Sequence, residues 1–256
     1  MDREALTAVL ERTVMIHARP ETVFRYFQDT ARWASWWGAG STIDPRPGGK
    51  VLIVYPGNVE ATGDVLEITP PTSIVFTYGY SSGTPIGPGQ SIVTIHFEPV
   101  GRGTLVCLSH AFRDSGVRDQ HVQGWRYQLS LFANVVSNDL NGDVSVLADA
   151  WFDAWAEPDE AKRRVAISAI AAPDVTFGDR YSRLTGIDDL VYHAGAAQKF
   201  MPGMRLERSG PARHCLGTAL VDWHVKGSDG SIKASGTNVF QLDQDGRIAA
   251  ITGLWN

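Results

Sequence analysis

The residues of this chain whose types and spacing could do chemistry are seven histidines, two cysteines and one asparagine set among apolar neighbours. Strand alternation places Ala234, Gly236, Asn238, Phe240 and Leu242 on one face. An amide in such a row needs a hydrogen-bond partner, so Asn238 is a candidate for binding or catalysis, with a buried structural amide as the alternative. His214, Asp222 and His224 share a face of another strand. Their separations of eight and two residues match no familiar metal set, and His214 lies too far from His224 to share an ion. That face reads as solvated or dimer-facing, and no metal site is expected. His17, His96 and His110 are potential polar pocket groups that read first as satisfied core or surface histidines, and His193, on a helix, could approach a pocket but reads first as a surface residue. Cys107 and Cys215 each fall inside an apolar, strand-like run and read as two buried free thiols rather than a disulfide. Neither has a positioned histidine signature, and no Gly-x-Ser-x-Gly elbow occurs, so covalent catalysis is not expected. Gly87-Pro88-Gly89 and Gly101-Arg102-Gly103 lie between strands rather than before helices, so no phosphate-cradling loop is read there. Arg180, Arg183, Arg205, Arg208 and Arg213 are dispersed and imply no anion site.

Two sets of elements must position these groups. In the first, residues 13–17 form a short strand, Pro20 opens a helix, and Trp33, Trp36 and Trp37 lie on a second helical segment ending at Gly38. From residue 42 to 110 the period becomes two. Runs at 51–55, 62–68, 74–80, 92–98 and 105–110 are punctuated by Pro and Gly clusters, the signals of an antiparallel meander. Residues 118–140 return to helical period, with Val122, Trp125, Leu129, Phe132 and Val136 on one stripe. A polar break at 138–143 marks the boundary between a domain over 1–140 and another over 144–256. The second set begins with a helix carrying Leu147, Trp151 and Trp155, then a helix over 159–171, a strand over 175–178 and a third helix from Gly186. Three strands follow, at 214–226, 231–242 and 247–255, joined by turns of which Asp245-Gly246 is the clearest. The chain is therefore α+β throughout.

The bulk properties narrow the function classes. With 256 residues, 43% hydrophobic and 20% charged, the chain has a normal globular balance. Net charge is −5, and neither half has the basic excess that binding a phosphate backbone requires. No apolar run approaches the ~20 residues of a membrane span, and the charged N-terminus is not a signal peptide. The expectation is a cytoplasmic protein with no nucleic-acid and no membrane partner.

The segment Asp44-Pro45-Arg46-Pro47-Gly48-Gly49-Lys50, then Gly63-Asp64-Val65-Leu66-Glu67-Ile68, Pro70-Pro71, Gly103-Thr104, and His121 with Gly124-Trp125 and Leu129 to Phe132, resembles the Aha1-like branch of the START/Bet v 1 (SRPBCC) superfamily over about residues 13–138. The resemblance implies a helix-grip fold, a curved antiparallel sheet around a long C-terminal helix that leaves an apolar cavity. Trp33, Trp36, Trp37, Tyr55, Tyr78 and Trp125 would line it for a flat apolar ligand, or else serve as ordinary core.

In the second half, Val175-Thr176-Phe177-Gly178-Asp179 and Gly186-Ile187-Asp188-Asp189-Leu190 resemble the NTF2-like/SnoaL-like superfamily over about residues 144–256. So do Met201-Pro202-Gly203-Met204, Gly236-Thr237-Asn238-Val239-Phe240 and Asp245-Gly246-Arg247-Ile248. This implies a cone-shaped α+β domain with a deep apolar pocket. Asp179 falls where an isomerase-type general base would stand, its alternative being a strand-end carboxylate that satisfies a loop. Asn238 stands where that isomerase has its oxyanion-hole acid, and Trp151, where it has a tyrosine donor, can donate only through its indole N–H. Phe240 joins Trp151 as a candidate ligand contact. The resemblances together imply binding of a hydrophobic small molecule without a cofactor. The alternatives are a polyketide cyclase- or ketosteroid isomerase-like reaction with Asp179 as base, and a chaperone-cofactor-like role for the first domain. A homodimer through the second sheet is also expected, with Trp223 as an interface anchor if it points outward.

Overall fold

The computed structural model describes residues 3–256, and its internal contacts divide the chain into two units that meet between Ser137 and Asn138. In the first unit β1 (Ala8–Ile16) is followed by α1 (Pro20–Phe24), a 3-10 turn at Arg25–Phe27 and α2 (Thr30–Trp37). Then come β2 (Thr42–Ile43), β3 (Lys50–Tyr55), β4 (Val59–Thr69), β5 (Ser73–Tyr80), β6 (Ser91–Val100) and β7 (Gly103–Phe112). The sheet order is β1-β7-β6-β5-β4-β3-β2, antiparallel at every junction. A meander of this kind follows from connections too short to cross over. The long helix α3 (Ser115–Asn141) closes the unit's sequence.

Two boundaries differ from the sequence reading for a physical reason. The first strand begins at Ala8 rather than at residue 13, because Leu10 is buried, Glu11 turns outward and Arg12 is half-buried on the Leu10 face, along a full ladder with β7. Charged residues do not interrupt a strand whose exposed face can hold them. On α3 the buried stripe runs through His121, Trp125, Leu129, Phe132 and Val136, and His121 takes the place expected for Val122.

The second unit contains α4 (Val144–Ala156), α5 (Glu160–Ile170), β8 (Ala171–Gly178), β9 (Arg183–Thr185) and α6 (Ile187–Phe200). Five strands follow: β10 (Arg205–Arg208), β11 (Arg213–Cys215), β12 (Thr218–Lys226), β13 (Ile232–Leu242) and β14 (Ile248–Trp255). Asp143 and Asp159 cap α4 and α5 by accepting from the N–H groups of Ser145 and Lys162. The sheet order is β10-β12-β13-β14-β8-β9, with β11 also on β12, and β8 runs parallel to β14. Its core lies between the inner sheet face and the helices, around Trp151, Phe152, Ile167, Val191, Val221, Phe240 and Ile248.

The expected strand over 214–226 is two strands. Leu216 and Gly217 both have positive φ, 49° and 79°, and fold β11 back on β12. Cys215 therefore lies exposed on a three-residue strand, and Cys107 is half-buried on the outer face of β7. Neither cysteine forms a disulfide among the described residues, and neither is buried. Trp223 is also corrected: Ala219, Val221, Trp223 and Val225 form the buried face of β12, so Trp223 points inward at 4% exposure and cannot anchor an interface. Among the described residues, no helix is long and apolar enough to cross a membrane.

Candidate functional site

The second unit holds an open cavity of about 910 Å³ whose wall carries seven Trp, Tyr and Phe side chains. Trp151 and Trp155, one helical turn apart on α4, supply one side. Phe177 and Asp179 come from β8 and the loop after it, Trp223 from β12, Asn238 from β13, and Gly253 and Trp255 from β14. His193 and Gln198 enter from α6. A volume of this size suits a small-molecule ligand.

The strand register explains why Asp179 and Asn238 meet. Asn238 pairs with Gly253, and β14 lies between β13 and β8. A Cβ on Gly253 would lie 3.1 Å from Asp179 Cβ and 3.4 Å from Asn238 Oδ1. The glycine leaves room for both polar groups on one patch of wall.

Asn238 has a defined orientation. Trp223 Nε1, which can only donate, gives its hydrogen to Asn238 Oδ1 at 3.1 Å. The Nδ2 amide is therefore the free end, a neutral donor with no hydrogen bond to the protein among the described residues, at a residue only 5% exposed. Asp179 is more heavily engaged. Its Oδ1 accepts from the backbone N–H groups of Tyr181 and Ser182, at 2.8 and 2.7 Å, and its Oδ2 accepts from Trp255 Nε1 at 3.2 Å. The carboxylate thus closes the turn after β8 and at the same time lines the cavity.

The indole N–H groups of Trp151 and Trp155 are buried without a partner among the described residues. A buried donor left unpaired costs free energy, about 1–3 kcal/mol, unless water or a ligand takes it. His193 completes the polar set. Its ring lies 5.6 Å from those of Trp155 and Phe177, and its nitrogens make no hydrogen bond to the protein among the described residues. Burial pushes this imidazole below its usual range, while the charge of Asp179 opposes the shift.

Asp179, Asn238 and Trp151 are thus brought together. Phe240 is not part of that wall; it is 1% exposed and packs edge-on against the far side of Trp151, with centroids 5.6 Å apart. His193 and Trp223 both line the cavity, His193 rather than standing at the surface and Trp223 rather than facing outward. Helical spacing carried a signal for His193, which falls on the stripe Leu190, Ala194, Ala197 at i+3 from Leu190. Parity carried one for Trp223, since outward Asp222 and His224 force it inward.

In the first unit Trp33, Trp37, Tyr78 and Trp125 are buried and lie against one another and half-buried Tyr55. Trp37 is 5.5, 6.0 and 5.6 Å from Trp33, Tyr55 and Trp125, and the Tyr55 and Tyr78 hydroxyls are 3.0 Å apart. Burial raises the pKa of both phenols. His110 is a satisfied core histidine. Trp125 Nε1 donates to its Nδ1 at 2.8 Å, which fixes the proton of the neutral ring on Nε2. That proton goes to Ser91 Oγ at 2.8 Å, and Ser91 donates on to the Tyr78 carbonyl at 2.9 Å. His17 and His96 are exposed. No cluster of three metal-ligating side chains occurs among the described residues.

No curated protein matches the chain in sequence. Among solved structures, a protein of the SnoaL-like family from Agrobacterium tumefaciens is similar at 25% identity, over 44% of this chain and 96% of that one, with a TM-score of 0.43. An AHSA1-like protein from Rhizobium etli is similar at 28% identity, over 50% of this chain and 81% of that one, with a TM-score of 0.41. CalU16 from Micromonospora echinospora is similar at 24% identity over 51% and 76%, with a TM-score of 0.40. Residues 17–137, which hold most of the first unit, match the sequence model of the family described as activator of Hsp90 ATPase homolog 1-like protein.

Proposed function

We propose that the second unit binds an apolar, ring-containing small molecule through one or more carbonyl oxygens. The observation that supports this reading is the pair of buried indole N–H groups, unpartnered among the described residues, of Trp151 and Trp155, two of the seven aromatic residues that line the cavity. The rings supply apolar contact area, which dominates the energetics of such a pocket. Three neutral donors, the two indoles and the Asn238 amide, favour an acceptor oxygen over a hydroxyl-free hydrocarbon. Without a matching acceptor, those N–H groups would remain desolvated and unpaired.

The test is a calorimetric titration with two probes of nearly equal shape, 2-acetylnaphthalene and 2-ethylnaphthalene. The ketone is expected to bind about tenfold more tightly, the equivalent of one net hydrogen bond. Equal affinities would remove the carbonyl from the reading, and no saturable binding of either would remove the reading itself.

A further inference from the structure

We propose that His193, rather than Asp179, is the proton-accepting group of this cavity, acting on a C–H beside the carbonyl of the bound molecule. The inference rests on the binding reading above and goes beyond it by adding a reaction. A general base must present a free lone pair to the substrate. Both Asp179 oxygens already accept hydrogen bonds, three in all, two of them from the backbone of the turn that the carboxylate closes. His193 has no such commitment. It stands in the wall of the same cavity, flanked by the rings of Phe177 and Trp155, with no hydrogen bond to the protein among the described residues.

The surroundings of the imidazole match this task. The Phe177 ring lies 5.6 Å from the imidazole, and Asp179 follows two residues later, just beyond the end of β8. Asp179 lines the same cavity and acts on the ring as a negative charge, with no hydrogen bond between the two among the described residues. The other ionisable and charged groups on the cavity wall are Tyr181 after β8, Asp153 and Glu157 at the end of α4, and Arg205 on β10. On His193's own helix, Asp189 stands one turn earlier and accepts from the Thr185 N–H. Burial keeps the ring a free base near neutral pH, and the Asp179 charge favours the imidazolium once it forms.

The step balances within the cavity. The lone pair on an unprotonated nitrogen of His193 takes the α-proton. The C–H electron pair becomes the carbon–carbon double bond of an enolate, and the carbonyl π pair moves onto oxygen. That oxygen is held by the donors of Trp151, Trp155 and Asn238, which gain strength as its charge grows. The imidazolium then returns its proton to carbon, and no oxidant or co-reactant is needed.

The experiment uses the full chain and 2-tetralone, a ketone with acidic α-hydrogens. Binding is followed by calorimetry, and exchange of the α-hydrogens in D₂O by proton NMR. The wild-type chain is expected to accelerate exchange over buffer, with a rate that rises with pH along an imidazole-like limb and then levels. His193→Gln is expected to lower the accelerated rate about 100-fold while leaving probe affinity within about threefold. Asp179→Asn, checked by circular dichroism for an intact fold, is expected to retain exchange and to move the limb to lower pH, because the carboxylate no longer favours the imidazolium. Exchange unchanged in His193→Gln, or abolished in folded Asp179→Asn, would overturn the assignment. So would bound 2-tetralone that does not exchange, a result that leaves the binding reading intact. Absence of binding would instead count against the binding reading itself.

Discussion

Asn238 is held by a donor that cannot reverse its role, since an indole N–H never accepts, and the free amide end follows from that single bond. Replacing Asn238 by Leu should therefore cost more than its own lost contact. It would leave Trp223 Nε1 buried without a partner, and the expected loss is about 1–3 kcal/mol, read as a lower urea midpoint. His110 shows the same logic in the first unit, where Trp125 dictates the neutral tautomer and Ser91 consumes its one proton. Burial and nearby His121 hold His110 well below its usual range. Its contribution to stability is in full above the unfolded value, about 6.5, and declines as pH falls below that, because the unfolded chain takes up a proton that the folded ring refuses. Hydrogen exchange over residues 91–112, normalised for intrinsic rates, should report weaker protection at pH 5 than at pH 7.5. His110→Phe should remove most of that difference.

At the scale of elements, the second unit depends on how α5 and α6 approach each other. Arg163 is 4% exposed, yet among the described residues no carboxylate pairs with its guanidinium; Nε donates to the Val191 carbonyl at 3.0 Å and Nη1 to the Glu157 carbonyl at 2.7 Å. It thus satisfies carbonyls beyond the end of α4 and within α6, binding three helices through one side chain. Gly195 makes room for it, since a Cβ there would stand 2.5 Å from Arg163 Nη2. Gly195→Ala gains helix propensity of under about 1 kcal/mol but must displace a buried charge. The net outcome expected is destabilisation of about 1–3 kcal/mol, seen as a drop in Tm of the second unit. Because α6 also carries His193 and Gln198, probe affinity should fall in parallel.

For the whole molecule, the division between Ser137 and Asn138 falls inside α3, yet each unit has its own sheet and its own buried residues. The cavity is lined only by residues from 151 onward. A fragment spanning residues 138–256 is therefore expected to fold, by circular dichroism, and to bind 2-acetylnaphthalene within about threefold of the full chain. The first unit has a different interior. Its large aromatic residues pack on each other; Trp33 Nε1 donates to the Leu52 carbonyl at 3.1 Å, while the Nε1 groups of Trp36 and Trp37 are buried without a partner among the described residues.

Periodicity in the sequence was enough to read the α+β class, the meander at 51–110, the long helix after it and the order of helices and strands in the second half. These are local properties, set by spacing, Gly and Pro placement and capping, and the backbone obeys them residue by residue. The same information already contained His193's place on an apolar helical stripe and Trp223's inward parity. What tertiary structure alone decided is which polar groups share a cavity and which of their atoms are free. Asp179 and Asn238 lie 59 positions apart and meet only because β14 brings Gly253 between them. No spacing rule reports that a strand-end carboxylate has spent its lone pairs on a turn, or that a helical histidine two rings away has kept both nitrogens free. Those facts are pairwise and long-range, and they exist only once the sheet has closed.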